Sequence, residues 1–200
     1  MSNLKYFLLG ELIQIKKGKK PSQISERIYS KRYLPYLLID AIEGQNKLFT
    51  DDSSCPIAKK SDTLLVWDGA RSGLSSTGHC GYVGSTLALI SKKSEIVHSS
   101  YLFYFISNKE KQIHYYSEGT GIPHVSRGFL ESLKIPIPSL IEQKKITEVL
   151  ASFDKIIHLL SQEISKYDFL LKGLTIELTS KNKDSNNDVH SIIDQEVNFQ

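Results

Sequence analysis

The sequence predicts an α+β chain in two parts. Three observations carry that expectation. Residues 1–138 alternate short β-patterned runs with glycine-rich loops. A Pro-x-Pro break follows at Pro136 and Pro138, where a helix cannot run. Apolar residues then step by four and three from Ile146 to Leu178 without a miss. The expected architecture is a globular domain over 1–138, a twisted, mostly antiparallel sheet with short helices. A long helix over 139–180 and a flexible polar tail over 181–200 complete it.

Taken in order, Leu4–Gln14 reads as a short helix or strand, with Leu8, Leu9, Leu12 and Ile13 apolar. Lys16, Lys17, Lys19 and Lys20 then surround Gly18 just before Pro21, which marks a loop. Four like charges on a loop repel one another unless phosphates are near, so they are a candidate backbone contact. Tyr33–Ile39 is a strand with Pro35 at its start or edge, and Asp51–Lys60 is turn-rich. Thr63–Trp67 is a strand by its β-branched and aromatic content.

That strand runs into Asp68–Gly81, a loop with four glycines in fourteen residues. Glycines let a backbone approach a ligand closely. Arg71, Ser72, Ser75, Ser76, Thr77 and His79 lie between them and supply donors suited to phosphates and base edges. Tyr82–Ile90 returns as a strand interrupted at Gly84. Ser99 and Ser100 cap an expected helix from Tyr101 to about Tyr115, burying Leu102, Phe105, Ile106 and Ile113. A second glycine loop, Ser117–His124, adds Thr120 and His124 as candidate contacts. Its Gly119 and Gly121 lack the third glycine of a dinucleotide fingerprint, since His124 stands there, and a β-type segment is expected to follow.

The long helix has a marked start: Ser139 and Glu142 form an S-x-x-E capping box. Its heptad seam is Ile146, Leu150, Phe153, Ile157, Leu160, Ile164, Tyr167, Leu171, Leu174 and Leu178. Forty residues make a rod of about 60 Å. The cover for such a seam is either the core of a larger domain or a second long helix, from another chain or a copy of this one. No other segment matches it in length, which favours the second helix.

Charge narrows the function. The net charge is +3, but residues 1–138 hold 18 Lys and Arg against 12 Asp and Glu, while 139–180 hold 5 against 6 and the last twenty 2 against 4. The basic excess sits in the N-terminal domain and suits a polyanion. No run of eighteen apolar residues suggests a membrane span, and the N-terminus is too quickly polar for a signal peptide. Two cysteines, Cys55 and Cys80, form neither a disulfide framework nor a metal-spaced pair, so a cytoplasmic setting is expected and no metal. No nucleophile elbow, P-loop, methyltransferase motif or nuclease spacing is present, so catalysis is expected elsewhere. Three function classes remain: a DNA-binding module, a coiled-coil adaptor whose first domain binds protein, and a small hydrolase with an unrecognised site. The lopsided charge and donor-rich loops favour the first.

Gly119-Thr120-Gly121-Ile122-Pro123-His124-Val125, then Leu133-Lys134-Ile135-Pro136-Ile137-Pro138, then Glu142-Gln143 and a long helix resemble the DNA-specificity subunits of type I restriction–modification systems. The resemblance spans about Leu4 to Leu178. In that family a target recognition domain precedes this signature, and the usual subunit carries two such halves in tandem. This chain resembles one half. The resemblance implies a non-catalytic subunit that reads double-stranded DNA in the major groove, with long helices pairing antiparallel as a spacer. The implied partners are methyltransferase subunits, which carry S-adenosylmethionine and methylate adenine, and, where one exists, a restriction subunit; the long seam adds a second copy of this chain as an expected partner. No cofactor is expected on this chain itself.

Overall fold

The computed structural model describes residues 4–119 and 121–197, with side chains as far as residue 176. The fold is α+β. The described residues form sixteen elements, and the chain divides into two compact units, Met1–Leu150 and Ala151–Gln200 (the helical unit, in which α6 runs as far as Val197). The first unit therefore extends past the expected boundary at 138 and takes in the opening turns of the long helix.

The expected single sheet is three. Strands β1 (Lys5–Leu8) and β10 (Lys134–Ile137) make an antiparallel ribbon, with Tyr6 opposite Pro136. Pro136 thus sits in a two-stranded edge, where a missing N–H is tolerated. The one-turn helix α1 (Leu9–Leu12) separates β1 from β2 (Ile13–Lys17), so the leading segment is strand, turn of helix and strand. The central sheet runs β2, β9 (Leu87–Lys92), β6 (Thr63–Val66) and β7 (Ser75–Thr77), all antiparallel.

The third sheet runs β4 (Phe49–Thr50), β3 (Leu34–Leu37), β8 (Gly81–Val83) and β5 (Ile57–Ala58). Its β3–β8 pair is parallel. The run expected as one strand across Gly84 is therefore two strands in two sheets. The turn between them is where Gly18 packs: a Cβ there would lie 2.0 Å from the Gly84 carbonyl oxygen. Gly18 serves this close backbone approach and is buried.

Strands β6 and β9 read as almost unbroken apolar runs because both of their faces are covered. Side chains alternate across a strand. Leu65 and Ile90 join one core with Leu9, Leu102, Ile106, Ile113, Leu130 and Ile135. Leu64, Val66, Leu87 and Leu89 face a second core with Leu37, Ala58 and Val83.

The helix expected from Tyr101 to Tyr115 is two, α3 (Ser99–Asn108) and α4 (Glu110–Tyr115), broken at Lys109. Ser99 and Ser100 lie inside α3, and the capping position is His98, whose side chain makes no cap bond. Phe105 is only partly buried. After the second glycine loop comes α5 (Arg127–Ser132), a helix where a β-type segment was expected; the Ser126 hydroxyl accepts from the Phe129 N–H.

Helix α6 spans Leu140–Val197. Its capping box forms as read: the Ser139 N–H and hydroxyl donate to Glu142 Oε2 at 2.9 and 2.7 Å, and the Glu142 N–H donates to Ser139 Oγ at 3.3 Å. Those bonds hold the Glu142 carboxyl below its ordinary pKa. Beside it Gln143 is wholly buried. Its amide donates to the carbonyls of Ile96 (2.8 Å) and Pro138 (3.0 Å) and accepts from the His98 N–H (2.8 Å).

Along the helical unit the seam residues Phe153, Ile157, Leu160, Ile164, Tyr167, Leu171 and Leu174 are exposed. Ile146 and Leu150, in the first unit, are exposed too, at 41% and 36%. Leu178 and the tail expected at 181–200 lie outside the residues whose side chains are described.

Candidate nucleic-acid interface

The two glycine loops meet in the structure. Asp68 and Glu118 each form a β-bridge with His124, and the Gly69 N–H donates to the Pro123 carbonyl at 2.8 Å. The end of β2 joins them. Lys17 Nζ lies 2.5 Å from Asp68 Oδ2 and 5.6 Å from the centre of the Trp67 ring. His124 is exposed, 3.9 Å from Glu118. One surface therefore gathers Lys17, Asp68, Glu118 and His124. Thr120 lies outside the described residues.

Lys16 and Lys17 are strand residues, where a loop was expected, and as neighbours they point to opposite faces. Lys19 and Lys20 lie beyond the strand and are exposed. Arg71 is exposed and pairs with Glu43 through Nη1. That carboxylate occupies one nitrogen and leaves the rest of the guanidinium fork available.

Asp68–Gly81 is not an open loop. It contains β7, and its first half is clamped onto α4. Gly73 has φ +95, and a Cβ on it would lie 2.9 Å from the Glu110 carbonyl. Its neighbour Ser72 is buried, with Oγ 2.9 Å from His114 Nδ1 and 3.0 Å from Ser117 Oγ. Ser75 is buried as well, and its hydroxyl has no partner among the described residues. Ser72 and Ser75 thus face inward and offer nothing to a surface ligand; the glycines that drew attention to them serve packing. Ser76 and His79 hydrogen-bond each other at 2.7 Å, and burial pushes the His79 pKa down. Thr77 is exposed, but its hydroxyl donates to the carbonyls of Lys60 and Asp62.

Sequence reasoning passed over residues 23–32. This segment has no regular element, and a single bridge, Ser25 to Phe49, lies within it. Arg27, Ile28, Tyr29, Lys31 and Arg32 are all exposed. The signal that could have found it is basic residues interleaved with aromatic ones. Among the described residues no cluster of His, Cys, Asp and Glu is arranged to hold a metal ion, and no helix is long and apolar enough to cross a membrane.

A family model described as the type I restriction modification DNA specificity domain matches residues 1–166. The type I restriction enzyme MjaVIII specificity subunit of Methanocaldococcus jannaschii is 35% identical over 178 residues, covering 86% of this chain and 41% of that protein. A putative type I restriction enzyme MjaX specificity subunit of the same organism is 35% identical over 81 residues, covering 40% and 19%. The chain spans about two fifths of the length of the first of these and less of the second.

Among solved structures, a chain from a study of complex assembly and conformational transition in a type I R-M system matches with TM-score 0.69 at 19% identity, over 87% of this chain and 44% of that one. The HsdS subunit of Thermoanaerobacter tengcongensis matches with TM-score 0.62 at 19% identity, over 81% and 40%. At that identity the structures establish the shared fold. The family model and the 35% relative, together with the signature from Gly119 to Gln143, establish that this chain belongs to the type I restriction–modification DNA specificity family.

Proposed function

We propose that this chain is a DNA-specificity subunit without catalytic activity of its own. It binds a double-stranded site and directs separate methyltransferase subunits, and a restriction subunit where one exists, to that site. S-adenosylmethionine belongs to the methyltransferase partner. The observation that supports this most is the convergence of both glycine loops and the end of β2 on one surface, in a domain with a basic excess. A coiled-coil adaptor with a protein-binding first domain would need neither feature.

The helical unit supports a second part of the reading. Its seam from Phe153 to Leu174 is exposed, and a contiguous apolar stripe of that length requires a cover. A second copy, paired antiparallel, supplies one of equal length and matching period. Identical chains so paired obey a two-fold axis, and a two-fold axis in the protein implies one in the site. The target is then an inverted repeat of short half-sites around an unread spacer. Mapping of methylated adenines after co-expression with the neighbouring modification subunit tests this. Methylation within an inverted repeat is the expected result. An asymmetric target in a complex holding only this specificity chain refutes the self-pairing, and methylation independent of the chain refutes the specificity role.

A further inference from the structure

The basic excess of the first domain is not spread over it. The eighteen residues Lys16–Tyr33 hold seven lysines and arginines against one glutamate. The rest of residues 1–138 holds eleven of each sign. The whole +6 therefore belongs to one continuous segment. Of its seven cations, only Lys17 is ion-paired among the described residues. Lys16, Lys19, Lys20, Arg27, Lys31 and Arg32 are exposed and within 4 Å of no described carboxylate.

The segment is also held in place. The Ser22 N–H and hydroxyl donate to Asp52 Oδ2 at 2.7 and 2.9 Å, the Thr50 hydroxyl donates to the Gln23 carbonyl, and Ser25 pairs with Phe49. Asp52 also accepts from the Ser54 N–H, and these bonds hold its carboxyl well below the usual range. That acid stays ionised and anchors the start of the segment, but it forms no ion pair with any of the segment's cations. Between the cations Ile28 and Tyr29 stay 60% and 71% exposed, with Tyr29 packed edge-on against Tyr33.

We infer that Lys16–Tyr33 is the principal phosphate-binding element of this chain and that its ligand is the backbone of duplex DNA. This rests on the DNA-binding reading above and assigns the affinity within it. Six unpaired cations on phosphates give a plot of log affinity against log salt with a slope of about −5. The glycine loops, whose surroundings are charge-balanced, add little to that slope.

The test is fluorescence anisotropy of the full chain on a labelled duplex of arbitrary sequence, between about 50 and 200 mM NaCl. The triple variant Arg27→Gln, Lys31→Gln, Arg32→Gln is expected to flatten the slope by about 2.7. A matched control, Lys5→Gln, Lys60→Gln, Lys134→Gln, removes as many exposed charges elsewhere and is expected to leave the slope within about one unit of the wild type. The charge-keeping pair Arg27→Lys, Arg32→Lys is expected to retain the wild-type slope, which separates loss of charge from loss of fold. If the control flattens the slope as much as the triple variant, the segment has no special role, while the DNA-binding reading stands. If the wild type shows no salt-dependent binding to any duplex, the reading fails and the inference with it.

Discussion

Gln143 offers the sharpest test of how the long helix is attached. It is wholly buried, and three hydrogen bonds tie it to Ile96, His98 and Pro138. Gln143→Met keeps the volume and removes all three bonds. Each bond is worth about 1 kcal/mol net, and each lost bond leaves a backbone group without its partner. The expected loss is therefore about 3 kcal/mol. For a chain of this size that is a fall in Tm of about 6–12 °C. Urea unfolding followed by circular dichroism measures it, with an unchanged m-value showing that the native state keeps its compactness. Ser139→Ala removes a cap on the surface beside it and is expected to cost less. A loss below about 1 kcal/mol for Gln143→Met would mean that water replaces the amide, and the buried anchor would then be no anchor.

Arg71→Ala is expected to weaken binding to the cognate site about 5- to 150-fold, the worth of one bidentate Arg–guanine contact, and to weaken random DNA much less; equal losses in a competition assay would reduce Arg71 to a phosphate contact. Ile157→Asp with Ile164→Asp places charge in the exposed seam and is expected to yield monomers by light scattering. A wild type that is already a stable monomer would end the self-pairing idea. Burial lowers the His79 pKa, so the native state favours the neutral ring, and the resulting stability is present above about pH 6.5 and lost as pH falls through the lower folded value. Urea midpoints of the wild type are thus expected to drop faster than those of His79→Gln on acidification, and parallel profiles would refute it.

The sequence was most legible where one local rule acts alone. Ser139 and Glu142 make a capping box within four residues, and it forms as read. Thr63–Val66 is a strand by its residue types. Long-range packing hid the rest. Nothing local at Gly18 says that Gly84 will press against it, so a packing glycine looked like a loop glycine. The glycine-rich run after Trp67 looked like a ligand cradle, yet Gly73 and Ser72 are committed to α4, a contact about forty residues away that no local pattern announces. The helix break at Lys109 falls among Lys, Glu and Gln, which favour helix, and the short helix at Arg127 contains Gly128, so propensity alone gives neither.

On the proposed reading, those same contacts divide the labour of binding. A residue that reads a base must be held within a fraction of an ångström, which requires a rigid support. If Arg71 is such a residue, it has that support: its neighbour Ser72 is locked to His114 and Ser117, Gly73 is pressed on α4, and Glu43 pairs with the guanidinium. A residue that holds a phosphate needs only charge and reach, and on the inference above Lys16–Tyr33 supplies these from the end of β2 and the irregular segment that follows it. On the proposed reading, affinity and specificity lie on different pieces of chain. Substitutions around Arg71 can change which sequence is read while the salt dependence stays the same. Substitutions in Lys16–Tyr33 can change how tightly any sequence is held without changing the choice.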